Sequence, residues 1–577
     1  MKKLLIYLKP YTKETVISPF FKLLEAIFDL LVPLVVKQII DVGIANRDKP
    51  YILGMCAILI LFAIIGLTCS LIAQYFAAKA AVGFSTELRR DLFSHIQSFS
   101  YAQTDRIGTS TLITRMTADV NQVQSAVNLT LRLFLRSPII VLGSMIMAFA
   151  VSPRNAWIFV LVIPLLSVVV FSIMIKSIPL YKKAQQSLDK VTSVTRENLT
   201  GARVIRAFRK EQEEIDRFTV ANNEHHAIQN FVARISALMN PLTLILVNMG
   251  VILILLFGAK DVQIGRLSQG EVVALTNYMA QILVELVKFA NTIFTVNKAL
   301  ACANRIESVL ETPLGMESDP TLATETGDSS IAVEFQNVGM TYSKDAEASL
   351  TGIQFQAPRG STFGIIGSTG SGKTSLVNLI PRFYDATEGR VLVNGRDVRG
   401  YETEPLRQKI AVVPQKAVLF RGTIRSNLLW GNENASDEEL WEALEAAQAK
   451  DFVLQKEGGL DAPVSQNGRN FSGGQRQRLT IARALVRKAE ILILDDSSSA
   501  LDYATDAALR QAIKALPYQP TVFLISQRTS SLQHADQILV LEDGEQVGLG
   551  THDALLKSCE VYREIYESQF RKGGEQA

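Results

Sequence analysis

The chain has 577 residues, 59 Lys and Arg against 56 Asp and Glu, a net charge of +3, and 48% hydrophobic but only 20% charged residues. That length exceeds one hydrophobic core and predicts two or more domains, and so small a net charge argues against a polyanionic partner such as nucleic acid. Cys56, Cys69, Cys302 and Cys559 lack metal-ligand spacing, which points to reduced, structural thiols.

The apolar surplus lies in the first half. Met1-Lys2-Lys3 starts a basic segment, and the polar stretch 7–14 delays the first long apolar run. No small-residue cleavage site stands out, so the first span is expected to be retained as an anchor. Apolar runs at 16–40, 51–76, 138–151, 157–178, 241–258 and 272–296 predict six transmembrane helices, because a stretch near 20 residues crosses a bilayer with its backbone bonds satisfied internally. The first run is interrupted by Lys22, Glu25, Asp29 and Lys37, which must face a protein interior or an aqueous cavity. Segments 79–136 and 176–240 are mixed-charge and helical in pattern, the expected continuation of membrane helices into the cytosol. Arg89, Arg90, Arg106, Arg115, Arg203, Arg206, Arg209 and Lys210 put both on the cytoplasmic side, and an even number of spans puts the termini there too. Glu285 and Lys288 stand three apart in the sixth run and can pair. Carboxylates such as Glu285 or Asp29 on the wall of an apolar cavity would favour lipophilic cations; paired with basic residues they would be structural.

Residues 311–330 are rich in proline, glycine and acidic side chains and read as a linker. From 331 onward strand candidates at 333–335, 363–366, 390–393, 410–413, 491–494, 521–525 and 537–541 alternate with helical stretches. The stretch Gly367-Ser368-Thr369-Gly370-Ser371-Gly372-Lys373-Thr374, with Ser375 after it, follows one of these strands. It reads G-x-x-x-x-G-K-[ST], a loop whose amides cradle phosphates while Lys373 reaches the β/γ-phosphates and Thr374 ligates magnesium. Asp495 ends an apolar strand, where a carboxylate can hold Mg2+, and Gln415 ends another and could complete the metal shell. Tyr342 could stack on an adenine ring. Ser472-Gly473-Gly474-Gln475 opens a helix and forms a second anion site, which suggests ATP sandwiched between two such domains.

With these motifs the sequence resembles an ABC exporter half-transporter: a six-helix all-α transmembrane domain (1–310), a linker (311–330) and an α/β P-loop ATPase cassette (331–577). The resemblance implies the following roles. Gly367 to Thr374 is the Walker A loop, Tyr342 the A-loop aromatic and Gln415 the Q-loop. Phe471 to Gln475 is the signature, with Phe471 where Leu is usual. Asp495 closes Walker B, and Ser499-Ala500-Leu501-Asp502 is the D-loop. Coupling helices are expected near 114–124 and 201–211.

Two departures stand out: Asp496 where the family's catalytic Glu is usual, and Gln527 in place of the switch histidine. Gln466 also replaces an acidic residue before the signature. A shorter carboxylate pulls back from the attacking water, and glutamine cannot share charge as an imidazolium can. Lys373, Asp496 and Gln527 are therefore expected to form a degenerate catalytic set. The whole then resembles the weak-site subunit of a heterodimeric bacterial multidrug exporter, multi-pass in the inner membrane. Its partner would be a second half-transporter with the intact Walker B glutamate, its substrate a lipophilic small molecule, and lipid its surroundings. The alternatives are a lipid or peptide exporter, or a low-activity homodimer.

Overall fold

The computed structural model describes residues 3–570 apart from 317, 320, 323–329, 344, 345 and 498, so nine residues of the expected linker 311–330 lie outside the described residues. The chain divides into two compact units, Met1–Gln97 with Thr109–Thr312, and Ser98–Gly108 with Pro313–Ala577.

The first unit is helical. Among the described residues, five of its helical runs are long and apolar enough to cross a membrane: Lys49–Gln97, Thr109–Val151, Pro153–Thr200, Glu211–Gln263 and Gln269–Leu310. At 1.5 Å rise per residue the longest runs reach roughly 70–80 Å, more than twice the ~30 Å of bilayer hydrocarbon. They therefore continue past the membrane, which accounts for the mixed charge of 79–136 and 176–240. Ser152 opens Pro153–Thr200 as an N-cap with proline at the first position, and a capping box of Ser268 and Glu271 opens Gln269–Leu310. Leu53, Ile60, Leu61, Ile64, Leu67 and Leu71 are exposed along Lys49–Gln97, the apolar face that lipid would cover.

Thr12–Gln38 is the sixth long helix, but among the described residues it is not one of the five apolar enough to span. Lys22, Glu25, Asp29 and Lys37 make the difference, and none of the four is left facing outward alone. Lys22 pairs with Glu25 at 2.6 Å and Lys37 with Glu271 at 2.8 Å. Arg136 reaches Asp29 at 2.7 Å and Glu285 at 2.7 Å. Ser137 and Lys288 donate to the same Glu285, at 2.8 and 3.0 Å. The carboxylates expected to be available to cationic substrates are thus spent on internal cations.

The expected coupling segment 114–124 lies inside the long run Thr109–Val151, where a π-helical turn, Arg115–Asp119, leads into Val120–Leu129. The segment 201–211 forms the turn between two long helices. Gly201 leaves helical geometry, Ala202–Ala207 is a short helix, and Arg209 at φ 53° swings the chain into Glu211–Ala237.

The second unit is built on a ten-stranded sheet. In chain order the strands are β1 (Ile331–Met340), β2 (Leu350–Pro358), β3 (Thr362–Gly367), β4 (Glu388–Val393), β5 (Arg396–Asp397) and β6 (Ile410–Val413). They continue with β7 (Gly422–Thr423), β8 (Pro463–Val464), β9 (Ile491–Asp495), β10 (Thr521–Ile525), β11 (Gln537–Glu542) and β12 (Glu545–Gly550). The large sheet runs β5-β4-β1-β2-β12-β11-β3-β10-β9-β6, and β7 pairs with β8 apart from it. Its parallel core is β11-β3-β10-β9-β6, whose strands are buried on both faces and so read as continuous apolar runs. On one face Phe355 stacks between Phe335 and Phe363, with ring centroids 4.6 and 4.5 Å apart. On the other, Ile366, Leu492 and Leu494 pack with Leu479 and Leu485 of the helix Gly473–Val486.

Candidate functional site

In a doubly wound sheet, loops that leave the carboxyl ends of parallel strands collect into one crevice. Here β3 delivers Gly367, β9 delivers Asp495 and Asp496, β10 leads to Gln527, and β6 leads through Pro414 to Gln415. Four strand ends adjacent in the sheet therefore bring together residues from four distant parts of the sequence.

The loop after β3 wraps tightly. Gly372 stands at φ +90°, and a Cβ on Gly367 would lie 2.2 Å from the Leu541 carbonyl, so neither position admits a side chain. Lys373 opens the helix Lys373–Leu379 and is nine-tenths buried. Its Nζ donates to the carbonyls of Gly367 at 2.9 Å and Ser368 at 2.5 Å and to Ser371 Oγ at 3.3 Å. Burial lowers the pKa of this ammonium, and the same loss of solvation strengthens its attraction to an anion that would replace the carbonyls. Thr374 Oγ1 donates to Asp495 Oδ2 at 2.9 Å, and Gln415 Nε2 donates to Asp496 Oδ2 at 3.4 Å. Burial raises both carboxyl pKa values, opposed at Asp495 by the Thr374 bond and at Asp496 by the Gln415 bond.

Asp496 has φ 46°, and its amide donates to the Ile525 carbonyl at 3.1 Å. That left-handed turn lifts its carboxylate off the end of β9 toward Gln415. Gln527 is exposed, and its carbonyl accepts from Gln569 at 2.7 Å. Tyr342 follows β1 and shares a hydrogen bond with Ser375 across 2.8 Å, so the aromatic is tied to the phosphate-loop helix.

The signature residues are organised separately. Ser472 caps Gly473–Val486 in a reciprocal box with Gln475, Ser472 Oγ accepting from the Gln475 amide at 3.3 Å and Gln475 Oε1 from the Ser472 amide at 3.1 Å. A Cβ on Gly474 would come within 3.0 Å of the Ala500 carbonyl, so glycine lets the D-loop pass close to the helix start. Phe471 is buried in the core, which explains how it stands in for leucine: it packs. The hydrogen bonds of Ser472 and Gln475 stay local and bring none of the phosphate-loop residues to them.

Among the elements of this unit that the sequence reading missed, one lies far outside 331–577. The helix Tyr101–Ile107, with a capping box of Ser100 and Gln103 and Gly108 at its end, belongs to the same unit as the cassette. Tyr101 packs on Phe383 with ring centroids 4.5 Å apart, and Tyr384 donates to Asp105. The expected coupling segments 114–124 and 201–211 both fall in the first unit. The Ser-x-x-Gln box followed by glycine was the available signal.

Comparison with known proteins bears on the whole chain. Residues 15–286 match the family model of the ABC transporter transmembrane region, and 350–499 match that of the ABC transporter ATP-binding region, described as ABC transporter. An uncharacterised ABC transporter ATP-binding protein, YfiB of Bacillus subtilis, is 36% identical over 100% of both chains. An ATP-dependent lipid A-core flippase of Chromohalobacter salexigens is 31% identical over 99% of this chain and 98% of its own. In fold, the structure matches a bacterial Atm1-family ABC exporter with ATP bound, with TM-score 0.81 and 22% identity over 98% of this chain and 99% of that one.

These likenesses overturn the expected heterodimeric multidrug subunit, and with it the separate partner carrying the Walker B glutamate: the named activity is a lipid flippase and the fold neighbour an Atm1-family exporter. The geometry supplies the physical reason. Replacing glutamate by Asp496 does not remove the carboxylate, because the left-handed turn presents it to Gln415, so the substitution alone does not mark a dead site. The chain belongs to the ABC transporter family, a multi-pass membrane domain fused to a cytoplasmic ATP-binding domain that carries the ATPase function of a transporter.

Proposed function

We propose that two copies of this chain form an exporter that moves hydrophobic or amphiphilic compounds, lipids among them, out across the membrane at the expense of ATP. The observation that carries this reading is the separation within one cassette of the phosphate-loop residues from the signature helix. Each half is complete, yet the hydrogen bonds of the signature box are local. A second copy completes both sites at once, and the flippase relative favours an amphiphilic cargo.

In this reading 1–310 is the membrane domain, 311–330 the linker and 331–577 the nucleotide-binding domain. Thr12–Gln38 is the sixth span, its charges neutralised by Arg136 and their own neighbours. Tyr342 stacks on adenine. The amides of Gly367 to Ser375 and the Lys373 ammonium hold the phosphates. Thr374, Gln415 and Asp495 offer hard oxygen donors suited to Mg2+, a cation that keeps several waters and needs few protein ligands. Among the described residues no cluster of three or more His, Cys, Asp or Glu competes as a metal site. Asp496 takes the proton of the attacking water, Gln527 hydrogen-bonds the γ-phosphate, and Ser472, Gly473, Gly474 and Gln475 close on the ATP of the other copy.

The test is reconstitution of this chain alone into liposomes carrying a fluorescent phospholipid. The expected result is ATP turnover and ATP-dependent movement of the lipid between leaflets, both lost in Lys373→Ala. Turnover that appears only after a different half-transporter is added would overturn the two-copy assembly. Turnover without lipid movement would overturn the cargo.

A further inference from the structure

A single residue, Tyr384, contacts both Tyr342 and the helix Tyr101–Ile107. The Tyr384 ring meets Tyr342 edge-to-face, with centroids 5.1 Å apart and planes at 86°. Its hydroxyl donates to Asp105, and its ring lies 6.3 Å from that of Tyr101. Burial and the Asp105 carboxylate both raise the Tyr384 pKa, so the phenol stays a donor at any physiological pH.

The loop that carries Tyr384 is held rigidly. It follows the phosphate-loop helix directly, with the Phe383 amide donating to the Asn378 carbonyl at 2.9 Å. Arg382 adopts φ 51° and pairs with Asp385 at 2.6 Å. Arg407 clamps the loop from outside, donating to the carbonyls of Pro381 at 3.2 Å and Arg382 at 3.0 Å with its guanidinium over the Phe383 ring. A rigid loop transmits the position of one contact to the other.

We infer that Tyr384 is a positioning residue that links adenine bound on Tyr342 to the anchorage of the Tyr101–Ile107 helix. This rests on the reading that Tyr342 takes the adenine. A base stacked on Tyr342 fixes the plane of that ring, the edge-to-face contact then fixes Tyr384, and the Tyr384 hydroxyl holds Asp105. Linkage makes the effect mutual, so a seated helix tightens nucleotide binding by the same factor. The route runs from the base end of the nucleotide. Gln415 stands at the phosphate end, beside Asp496, so the two routes are separable by ligands that lack a base.

The experiment is amide hydrogen exchange of the 101–107 segment in the full chain in lipid nanodiscs, with binding followed by displacement of a fluorescent nucleotide. A non-hydrolysable ATP analogue is compared with inorganic tripolyphosphate, both at saturation. The analogue slows exchange in this segment about fivefold or more, and tripolyphosphate does so by less than about twofold. Tyr384→Leu and Asp105→Asn each bind the analogue and lose the protection. Tyr384→Phe keeps the ring contact, loses the hydrogen bond and retains part of it. Equal protection by tripolyphosphate, or full protection in both Tyr384→Leu and Asp105→Asn, would overturn the link while leaving the ATP site intact. Failure of the wild-type chain to bind the analogue would remove the ATP-site reading and the link with it.

Discussion

Arg136 holds Glu285 at 2.7 Å across 149 residues of sequence, and the same guanidinium holds Asp29. The Glu285 side chain is 5% exposed, so its charge is stable only while its donors stay. Removing one member of such a buried pair costs about 3–5 kcal/mol, because the other charge is left uncompensated.

Arg136→Met should therefore sharply lower the yield of folded, membrane-inserted protein, and Arg136→Met with Glu285→Gln should restore part of it. The measurement is monodispersity and Tm in detergent. A role for Glu285 in choosing cationic cargo would instead leave Tm unchanged in Glu285→Gln and alter only the uptake of a cationic dye relative to a neutral one.

The nucleotide edge of the cassette carries a pH signature. Burial raises the pKa of Asp495 and Asp496, so the folded, nucleotide-free cassette holds protons there more readily than the unfolded chain does. Stability contributed by that preference is present below the ordinary carboxylate range, near 4, and is lost as pH rises through the raised values. If Asp495 holds Mg2+ beside the nucleotide, as proposed, it must do so ionised. The Tm gain on adding ATP with Mg2+ should accordingly be smaller at about pH 5 than at about pH 7.5, and Asp495→Asn should flatten the difference. An unchanged pH trend in that variant would show that Asp495 is not the group that titrates.

Asp496 tests the chemistry directly. Asp496→Asn keeps the shape and removes the carboxylate; if that carboxylate is the base, as proposed, turnover should fall by about 10²–10⁴ while nucleotide affinity holds. Retained turnover would mean that another group accepts the proton.

The residues gathered at the ends of β3, β9 and β6 were legible because their signal is local. Gly367 to Thr374 is one unbroken stretch, and Asp495 and Gln415 each end an apolar run. The strand β2 was missed although its burial alternates as a half-buried strand should, because Gly352 at φ +62° and the closing Pro358 punctuate it like a loop. Tyr101–Ile107 buries none of its residues, so it has no apolar period, and its partner Tyr384 lies 279 positions from Asp105. Long-range pairing likewise hid the fate of Asp29, whose cation is 107 residues away. The pairing of two unlike chains was read from Asp496, Gln527 and Gln466, but a substitution reports the chemistry at its own position and carries no record of what binds opposite.

The signature helix separates folding from function at one residue. Ser472 caps Gly473–Val486 through its side-chain oxygen, and aspartate caps about as well as serine, whereas alanine costs about 1 kcal/mol. If the helix start faces the phosphates of ATP held by the other copy, a carboxylate there repels them, while alanine only forfeits one hydrogen bond. Ser472→Asp should then keep the wild-type Tm and lose turnover by about 100-fold or more. Ser472→Ala should lower Tm with a smaller loss of turnover. The two orders are opposite, so a joint measurement of Tm and ATPase rate distinguishes them. Wild-type turnover in Ser472→Asp would mean that this helix start does not meet a phosphate.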